Sequence, residues 1–122
     1  MFLELSHTKL NVYTSTKELT IECYRITKNF PIDEKYAMVQ QIRRAALSVH
    51  LNLAEGSSRR SVVERIRYYE IARGSVIEID TAFGVAVELG YCQKADLEVL
   101  GALILKGFKQ LSALIIKTGV RP

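Results

Sequence analysis

Apolar residues recur along this chain every three or four positions, which is typical of α-helices that bury one face. Val12, Leu19 and Cys23 are spaced 7 and 4 residues apart and predict a first helix over residues 10–29. Pro31 follows it. Because proline lacks a backbone N–H and disfavours helical geometry in the preceding residue, we expect the helix to end there.

A second stretch with the same spacing predicts a helix over residues 34–55. Asp33 precedes it and is a favourable N-cap residue, because its carboxylate can accept hydrogen bonds from the first free N–H groups. Gly56 follows the last apolar position. We expect Gly56 to end this helix in the left-handed conformation that glycine adopts without a steric penalty.

The third and fourth helices are predicted over residues 61–89 and 94–117. Ser61 with Glu64 three residues later is a capping-box pattern at the start of the third helix, and Gly90 follows its end. The fourth helix is apolar almost all round, so it has two sides to bury. This feature favours an oligomer, and the alternative is that the chain termini cover the second side.

Connections of only a few residues force neighbouring helices to run antiparallel. We therefore expect an all-α, antiparallel up-and-down four-helix bundle that forms a single domain over residues 1–122. Four glycines lie inside the predicted helices, and each costs about 1 kcal/mol relative to alanine. Close approach of neighbouring helices is the expected compensation at these positions, which are Gly74, Gly84, Gly101 and Gly107.

Composition favours a cytoplasmic globular protein, with 48% hydrophobic and 25% charged residues. The N-terminus contains the acidic Glu4 and no continuous apolar segment, which excludes a typical signal peptide. The longest uncharged run, residues 45–54, is too short and too polar to span a bilayer, so we expect no membrane partner. In that compartment Cys23 and Cys92 are expected as reduced thiols, with a disulfide as the alternative.

Charge is distributed unevenly along the chain, whose net charge is +4. Residues 41–75 contain seven arginines and three glutamates, whereas residues 76–100 contain one lysine and five acidic residues. Seven minus three gives +4 for the first stretch, and one minus five gives −4 for the second. Such asymmetry is typical of a protein that meets an anionic partner or a complementary neighbouring subunit.

Arginines cluster around the predicted turn between the second and third helices. A guanidinium group donates two parallel hydrogen bonds to a phosphate, and an exposed tyrosine can stack on a base. A solvated charged face or a subunit contact, with arginines paired to Glu64 or Glu70, is the alternative interpretation. The candidate nucleic-acid-binding residues are Arg59, Arg60, Arg65, Arg67 and Tyr68.

Polar residues also line one side of the second helix at spacings of three and four. They could form a hydrogen-bonded network with the third helix that fixes the register of the two helices. A ligand pocket or a catalytic carboxylate site is the alternative. The set consists of Gln41, Arg44, Ser48, Asn52 and Glu55, together with Arg73 and Glu78 of the third helix.

Patterns typical of catalytic or metal sites do not occur in the sequence. Di-iron bundles use Glu-x-x-His on two helices, but Glu4 and His7 precede the first helix, and His50 has no glutamate three residues before it. Ser57 and Ser58 have no histidine near them in the sequence, and phosphate-binding glycine loops do not occur. We expect no cofactor, no metal and no enzymatic activity.

Residues 29–59 and 68–91 resemble the four-helix bundle proteins encoded in intervening sequences of bacterial 23S rRNA genes, once labelled S23 ribosomal proteins. The shared pattern contains Gln-x-x-Arg-Arg-Ala, then Ser-x-x-x-Asn-x-Ala-Glu-Gly, then Ala-x-Gly-Ser-x-x-Glu. His50 departs from it, because the family commonly has proline or alanine at this position.

The resemblance implies a four-helix bundle that commonly assembles as a homopentamer. Related proteins include the accessory proteins of diversity-generating retroelements, which form a basic pentameric barrel that associates with nucleic acid and a reverse transcriptase. Most members have no established biochemical function. We therefore expect a non-catalytic oligomeric scaffold that binds the backbone of RNA or DNA through its arginines. The alternative is a protein–protein adaptor, for example for a reverse transcriptase, without direct nucleic-acid binding.

Overall fold

The structure, a computed structural model, describes residues 1–120, and this part of the chain contains four α-helices and no strand. Each helix packs against the next, and the fourth packs back against the first, which closes the bundle. The predicted all-α up-and-down four-helix bundle is therefore confirmed. The helices are α1 (Asn11–Thr27), α2 (Met38–Ser57), α3 (Val62–Glu88) and α4 (Glu98–Gly119), and 3-10 turns at Ser6–Lys9, Ile32–Glu34 and Lys94–Leu97 precede α1, α2 and α4.

The hydrophobic core lies between the four helices and takes side chains from each of them. Leu19 of α1, Ile42 of α2, Ile79 of α3 and Leu111 of α4 are completely buried. Each such side chain contributes about 1.5–3 kcal/mol to folding through its removal from water. The three- and four-residue spacing of the sequence thus corresponds to the faces that the helices bury.

The loops that join α1 to α2 and α3 to α4 meet at one end of the bundle. The ring of Phe30 packs edge-on against Phe83, with 6.0 Å between the ring centres, and lies 5.5 Å from Tyr91. The Tyr91 hydroxyl donates a hydrogen bond to the Glu34 carboxylate at 2.6 Å, which raises the pKa of Tyr91. Gly90 ends α3 with a φ of 77°, the left-handed conformation that glycine favours.

The start of α2 differs from the prediction. Asp33 does not cap this helix, because it lies in the 3-10 turn Ile32–Glu34 and α2 begins only at Met38. The N-cap position is Ala37, which has no side-chain acceptor. The carboxylate of Glu34 accepts a hydrogen bond from the Met38 N–H at 3.2 Å instead. A neighbouring acidic residue therefore satisfies the donor that Asp33 was expected to satisfy.

Glycines inside the helices do not mark close contacts between helices. A Cβ atom at Gly74, Gly84 or Gly101 would meet no atom within 4 Å, and one at Gly107 would lie 3.9 Å from Leu19. The expected compensation by close helix approach is therefore wrong for the first three glycines. These three lie on the outer surface of α3 or α4, where their missing side chains leave open space.

α4 and the turn before it, Lys94–Gly119, are long and apolar enough to cross a membrane by length and composition, with a mean hydropathy of 1.7. In the bundle this helix packs against α1 and α3 and buries Leu100, Ile104 and Leu111. The core helix of a globular protein passes the same length and hydropathy test. The opposite side of α4 leaves four large apolar side chains exposed, which are Val99, Leu105, Phe108 and Ile116.

His50 of α2 is half-buried against α1. Its Nδ1 lies 2.8 Å from the Thr16 hydroxyl, and the centre of its ring lies 4.5 Å from that of Tyr13. Burial lowers the pKa of His50, and the positive charges of Lys17 and His7 lower it further. The folded chain therefore favours the neutral imidazole.

We expect His50 to make folding less stable as the pH falls through 6.5, its ordinary pKa. Below that value the unfolded chain binds a proton at His50 that the folded chain binds only at lower pH, so the free energy of unfolding decreases. His50→Gln removes this titration and should flatten the decrease. Urea unfolding at about pH 7.5 and about pH 5.5 gives the decrease in the free energy of unfolding for the original chain and for the variant. Equal decreases in the two proteins would contradict this role of His50.

Candidate nucleic-acid interface

The connection between α2 and α3 consists of residues 58–61 and is held by hydrogen bonds within the turn. The Arg59 N–H donates to the carbonyl of Gly56 at 3.1 Å, which extends the last turn of α2. The Ser61 hydroxyl oxygen accepts a hydrogen bond from the Glu64 N–H at 3.3 Å. The predicted N-cap of α3 is therefore confirmed, and the arginines around the turn have a defined backbone to project from.

Gly56 lies directly against the aromatic ring of Tyr69 from α3. A Cβ atom at Gly56 would lie 2.9 Å from both the Tyr68 Cβ and the Tyr69 Cε1, closer than real Cβ atoms come. Gly56 does not have the left-handed conformation, because Gly90 alone has a positive φ in residues 1–120, and α2 continues to Ser57. The prediction for Gly56 is wrong: this glycine is needed for space, and not for its backbone conformation.

Gly56→Ala should destabilise the fold by about 1–3 kcal/mol, because the new methyl group overpacks the contact with Tyr69. Gly74→Ala is the matched control, since the added methyl group meets open space in the middle of α3. There alanine should stabilise the fold by up to about 1 kcal/mol through its higher helix propensity. Urea unfolding measures both changes, and effects of the same sign would contradict this account.

Arg59 is surrounded by partners from its own chain. Its guanidinium lies 3.0 Å from Glu55 and 3.7 Å from Glu64. It also donates a hydrogen bond to the Tyr68 hydroxyl at 3.1 Å and lies 5.0 Å from the centre of that ring. Two carboxylates thus offset the charge of Arg59, and the guanidinium occupies the ring face of Tyr68 on which a base could stack.

Arg60 and Arg67 are exposed and have no such partners. Ion pairs in the described part of the chain involve only two arginines, Arg25 and Arg59. Arg67 follows Val63 by one helical turn, and 78% of the Val63 surface is exposed, so this face of α3 points to solvent. Within the predicted set, Arg60 and Arg67 are the exposed arginines without an ion pair, so their charge is available to an anion at the outer surface.

Arg65 lies in a different environment from the other arginines. It lines a cleft of about 490 Å³ at the same end of the bundle, between the 3-10 turn Ser6–Lys9, the end of α2, the start of α3 and the end of α4. The Nε of Arg65 is buried, and no described residue accepts its hydrogen bond. Lys117 and Ser57, which the sequence pattern did not indicate as site residues, line the same cleft. No local sequence signal marks them, because they come from distant segments.

The polar residues predicted to link α2 and α3 are joined in small groups. Gln41 donates a hydrogen bond to Glu78, across the two helices. The Ser75 hydroxyl donates to Ser48 at 2.9 Å, and the Asn52 amide donates to the same Ser48 hydroxyl at 3.0 Å. Ser75, which the prediction did not include, is the buried member of this group.

The three remaining members of the polar set make other contacts. Glu55 pairs with Arg59, as described above, and Arg44 is exposed. Arg73 donates a hydrogen bond to the Ser112 hydroxyl of α4 at 3.2 Å. The structure therefore brings Gln41, Ser48, Asn52 and Glu78 to the boundary of α2 and α3, whereas Arg73 faces α4.

No three His, Cys, Asp or Glu side chains within residues 1–120 lie close enough to hold a metal ion. The thiols of Cys23 and Cys92 are free. Burial raises the pKa of Cys23 to about 12, so this thiol stays protonated in the core.

Comparison with known proteins gives one family and one fold. The sequence profile of the family described as 23S rRNA-intervening sequence protein matches residues 8–113. The structure is similar to that of a protein of unknown function from the S23 ribosomal protein family of Bacteroides thetaiotaomicron. The TM-score is 0.76 at 20% sequence identity, over 85% of this chain and 97% of that chain, which shows a shared fold. A search of curated proteins found no match.

Proposed function

The chain belongs to the 23S rRNA-intervening sequence protein family, and on that premise we propose that it is a non-catalytic, oligomeric, cytoplasmic scaffold that binds the backbone of RNA or DNA. The observation that carries the nucleic-acid part is the exposure of Arg60 and Arg67 without ion pairs in the described chain. Guanidinium groups bind phosphate through two parallel hydrogen bonds, and the net charge of +4 favours approach to a polyanion.

Recognition of this kind depends on charge and backbone position, and not on base sequence. The ring of Tyr68 is covered by Arg59, so stacking on a base would first require that contact to open. The ion pairs of Arg59 are exposed, and such pairs contribute at most about 1 kcal/mol. A phosphate that binds Arg59 would have to replace these ion pairs and both contacts with Tyr68, so Arg59 adds a weaker third contact beside Arg60 and Arg67.

Replacing Arg60 and Arg67 together by glutamate should greatly weaken binding to RNA and DNA at low salt. Each phosphate contact releases about one counterion, so losing two contacts should lower the slope of log affinity against log salt by about two. Fluorescence anisotropy with a labelled structured RNA and a DNA duplex measures affinity and slope. Equal slopes for the double variant and the original chain would contradict the proposal.

Lys28→Glu with Lys35→Glu is the matched control for that experiment. These exposed lysines lie at the opposite end of the bundle, near the loop between α1 and α2, and the change in net charge is the same. At about 0.1 M salt, where charges beyond about 10 Å are screened, the control should lose only the small long-range part of the attraction. Equal loss in both double variants would indicate attraction by net charge alone.

An apolar groove between α3 and α4 supports the oligomeric part of the proposal. The groove has a volume of about 730 Å³, and Gly84, Gly101 and Leu105 are among the residues that line it. Leu105 is 73% exposed and Ile77, which borders the adjoining depression, is 52% exposed. Asp80, Glu88, Lys94 and Glu98 also line the groove, and an exposed apolar patch bordered by charged residues is typical of a protein–protein contact. The proposed occupant is a second copy of this chain, because α4 is apolar on both of its sides.

Leu105→Glu should shift the purified protein towards smaller assemblies, because it places a charge in the proposed interface between copies. Leu51→Glu on α2 is the control, since Leu51 is 59% exposed but lies away from the groove. Sedimentation velocity measures the mass of each protein. A monomeric original chain, or the same mass for the chain and Leu105→Glu, would overturn the self-association.

The groove also supports the second candidate function, a protein–protein adaptor. A different protein could occupy the surface around Leu105 and Ile77 if copies of this chain do not. The two functions differ in their response to the variants described above. An adaptor would lose its protein partner on Leu105→Glu and keep it on Arg60→Glu with Arg67→Glu, in nuclease-treated pull-downs.

A further inference from the structure

We propose that the cleft lined by Arg65 binds a single phosphoryl group, and that Arg65 is the principal donor to it. The site is separate from the exposed Arg60 and Arg67. It does not rest on the backbone binding proposed above, because the cleft could receive a phosphoryl group that is free in solution as well as one at the end of a nucleic-acid strand.

The cleft has the size of a small-molecule site. Its volume of about 490 Å³ falls within the range of roughly 300–1,000 Å³ that is typical of ligand pockets. Four separate segments form its walls, and they contribute His7, Ser57, Arg65 and Lys117 among others. Three of these walls are preformed, because Gly56, Tyr69 and Thr118 bury them in the bundle, whereas the 3-10 turn Ser6–Lys9 buries no residue.

The charge of the lining favours an anion. Arg65 and Lys117 are both cationic, and no aspartate or glutamate is among the lining residues of the described chain. Neither cation forms an ion pair with another described residue. Lys117 lies in the last turn of α4 and offsets the negative end of that helix, so Arg65 contributes the net positive charge.

The buried Nε of Arg65 is the second observation that points to a ligand. Buried N–H groups almost always have an acceptor, because a buried N–H without a hydrogen bond destabilises the fold. No described residue supplies an acceptor for this atom. Because Nε has no hydrogen bond to lose in its present position, the guanidinium can turn towards a phosphoryl oxygen in the cleft and donate two parallel hydrogen bonds to it.

The hydroxyl groups of Ser57 and Tyr69 add one more donor. Their oxygens are 3.1 Å apart, so one hydroxyl donates to the other and the second keeps a proton for another acceptor. The Thr118 hydroxyl is not available in this way, because it donates to the Leu114 carbonyl at 2.7 Å. The cleft therefore presents donors to its ligand, which matches the oxygens of a phosphoryl group and not a metal cation.

The rest of the cleft is wider than one phosphoryl group and partly apolar. Leu10, Leu114 and Val120 line it beside the polar groups. A sugar attached to the phosphoryl group could lie against these side chains. The two sources to distinguish are a small phosphate in solution and the 5′-terminal phosphate of an RNA strand.

Titration of the full chain with inorganic phosphate, followed by calorimetry and phosphorus NMR, tests the site. The original chain should bind, and Arg65→Gln should bind about tenfold more weakly or worse, because a charge-assisted hydrogen bond is lost. Arg60→Gln is the matched control and should bind as the original chain does. No binding by the original chain, or equal binding by Arg65→Gln, would overturn the proposal.

Two further measurements keep the result unambiguous. If circular dichroism shows that Arg65→Gln does not fold, Arg65→Lys takes its place, since it keeps the charge but cannot donate two parallel hydrogen bonds: weaker phosphate binding supports the site, and unchanged binding overturns it. Competition between 5′-phosphorylated and 5′-hydroxyl RNA of one sequence identifies the source, since a preference that depends on Arg65 indicates a strand end and no preference indicates a free phosphate. Phosphate binding that survives Arg60→Glu with Arg67→Glu separates this site from the backbone surface.

Discussion

The contact between the Tyr69 ring and the backbone at Gly56 determines how α2 and α3 meet, and the end of the bundle that carries the arginines depends on it. Tyr69 is 1% exposed and is the largest fully buried side chain of the bundle. Its ring belongs to the core, while its hydroxyl reaches Ser57 and the cleft beyond it. One aromatic side chain therefore connects core packing, the turn that bears the arginines, and the wall of the cleft. Only glycine at position 56 leaves room for this arrangement.

Much of the fold follows from the sequence, because a buried helix face needs apolar residues every three or four positions. Two of the errors occur where the deciding contact comes from another segment of the chain. Asp33 is a good N-cap by local rules, yet Glu34, hydrogen-bonded to Tyr91 from the α3–α4 loop, satisfies the first turn of α2. Gly56 has the position of a helix-ending glycine, yet the ring of Tyr69 explains its presence. In both cases a residue far along the chain overrides a plausible local pattern.

The arginines show the same limit of prediction from sequence at the candidate site. Arg59, Arg60, Arg65 and Arg67 form one basic cluster in the sequence, but the structure gives them three environments. Arg59 is neutralised by glutamates on both sides of the turn, Arg60 and Arg67 face solvent, and Arg65 lines a cleft. The difference comes from the angle at which each side chain leaves the turn and the first helical residues of α3. Sequence spacing indicates which segment is basic, and packing decides which charges remain available.

Two arginines without ion pairs would bind a nucleic acid only weakly, because each phosphate contact contributes little binding free energy and is screened by salt. Self-association through the side of the bundle would change this. The groove around Leu105 lies on the α3–α4 face, whereas Arg60 and Arg67 lie at or near the turn end, so packing at the groove leaves the arginines free. In any closed cyclic assembly, equivalent residues lie at one height along the symmetry axis. Such an assembly would place every copy's Arg60 and Arg67 on one rim, where contacts to one strand reinforce each other through high effective concentration.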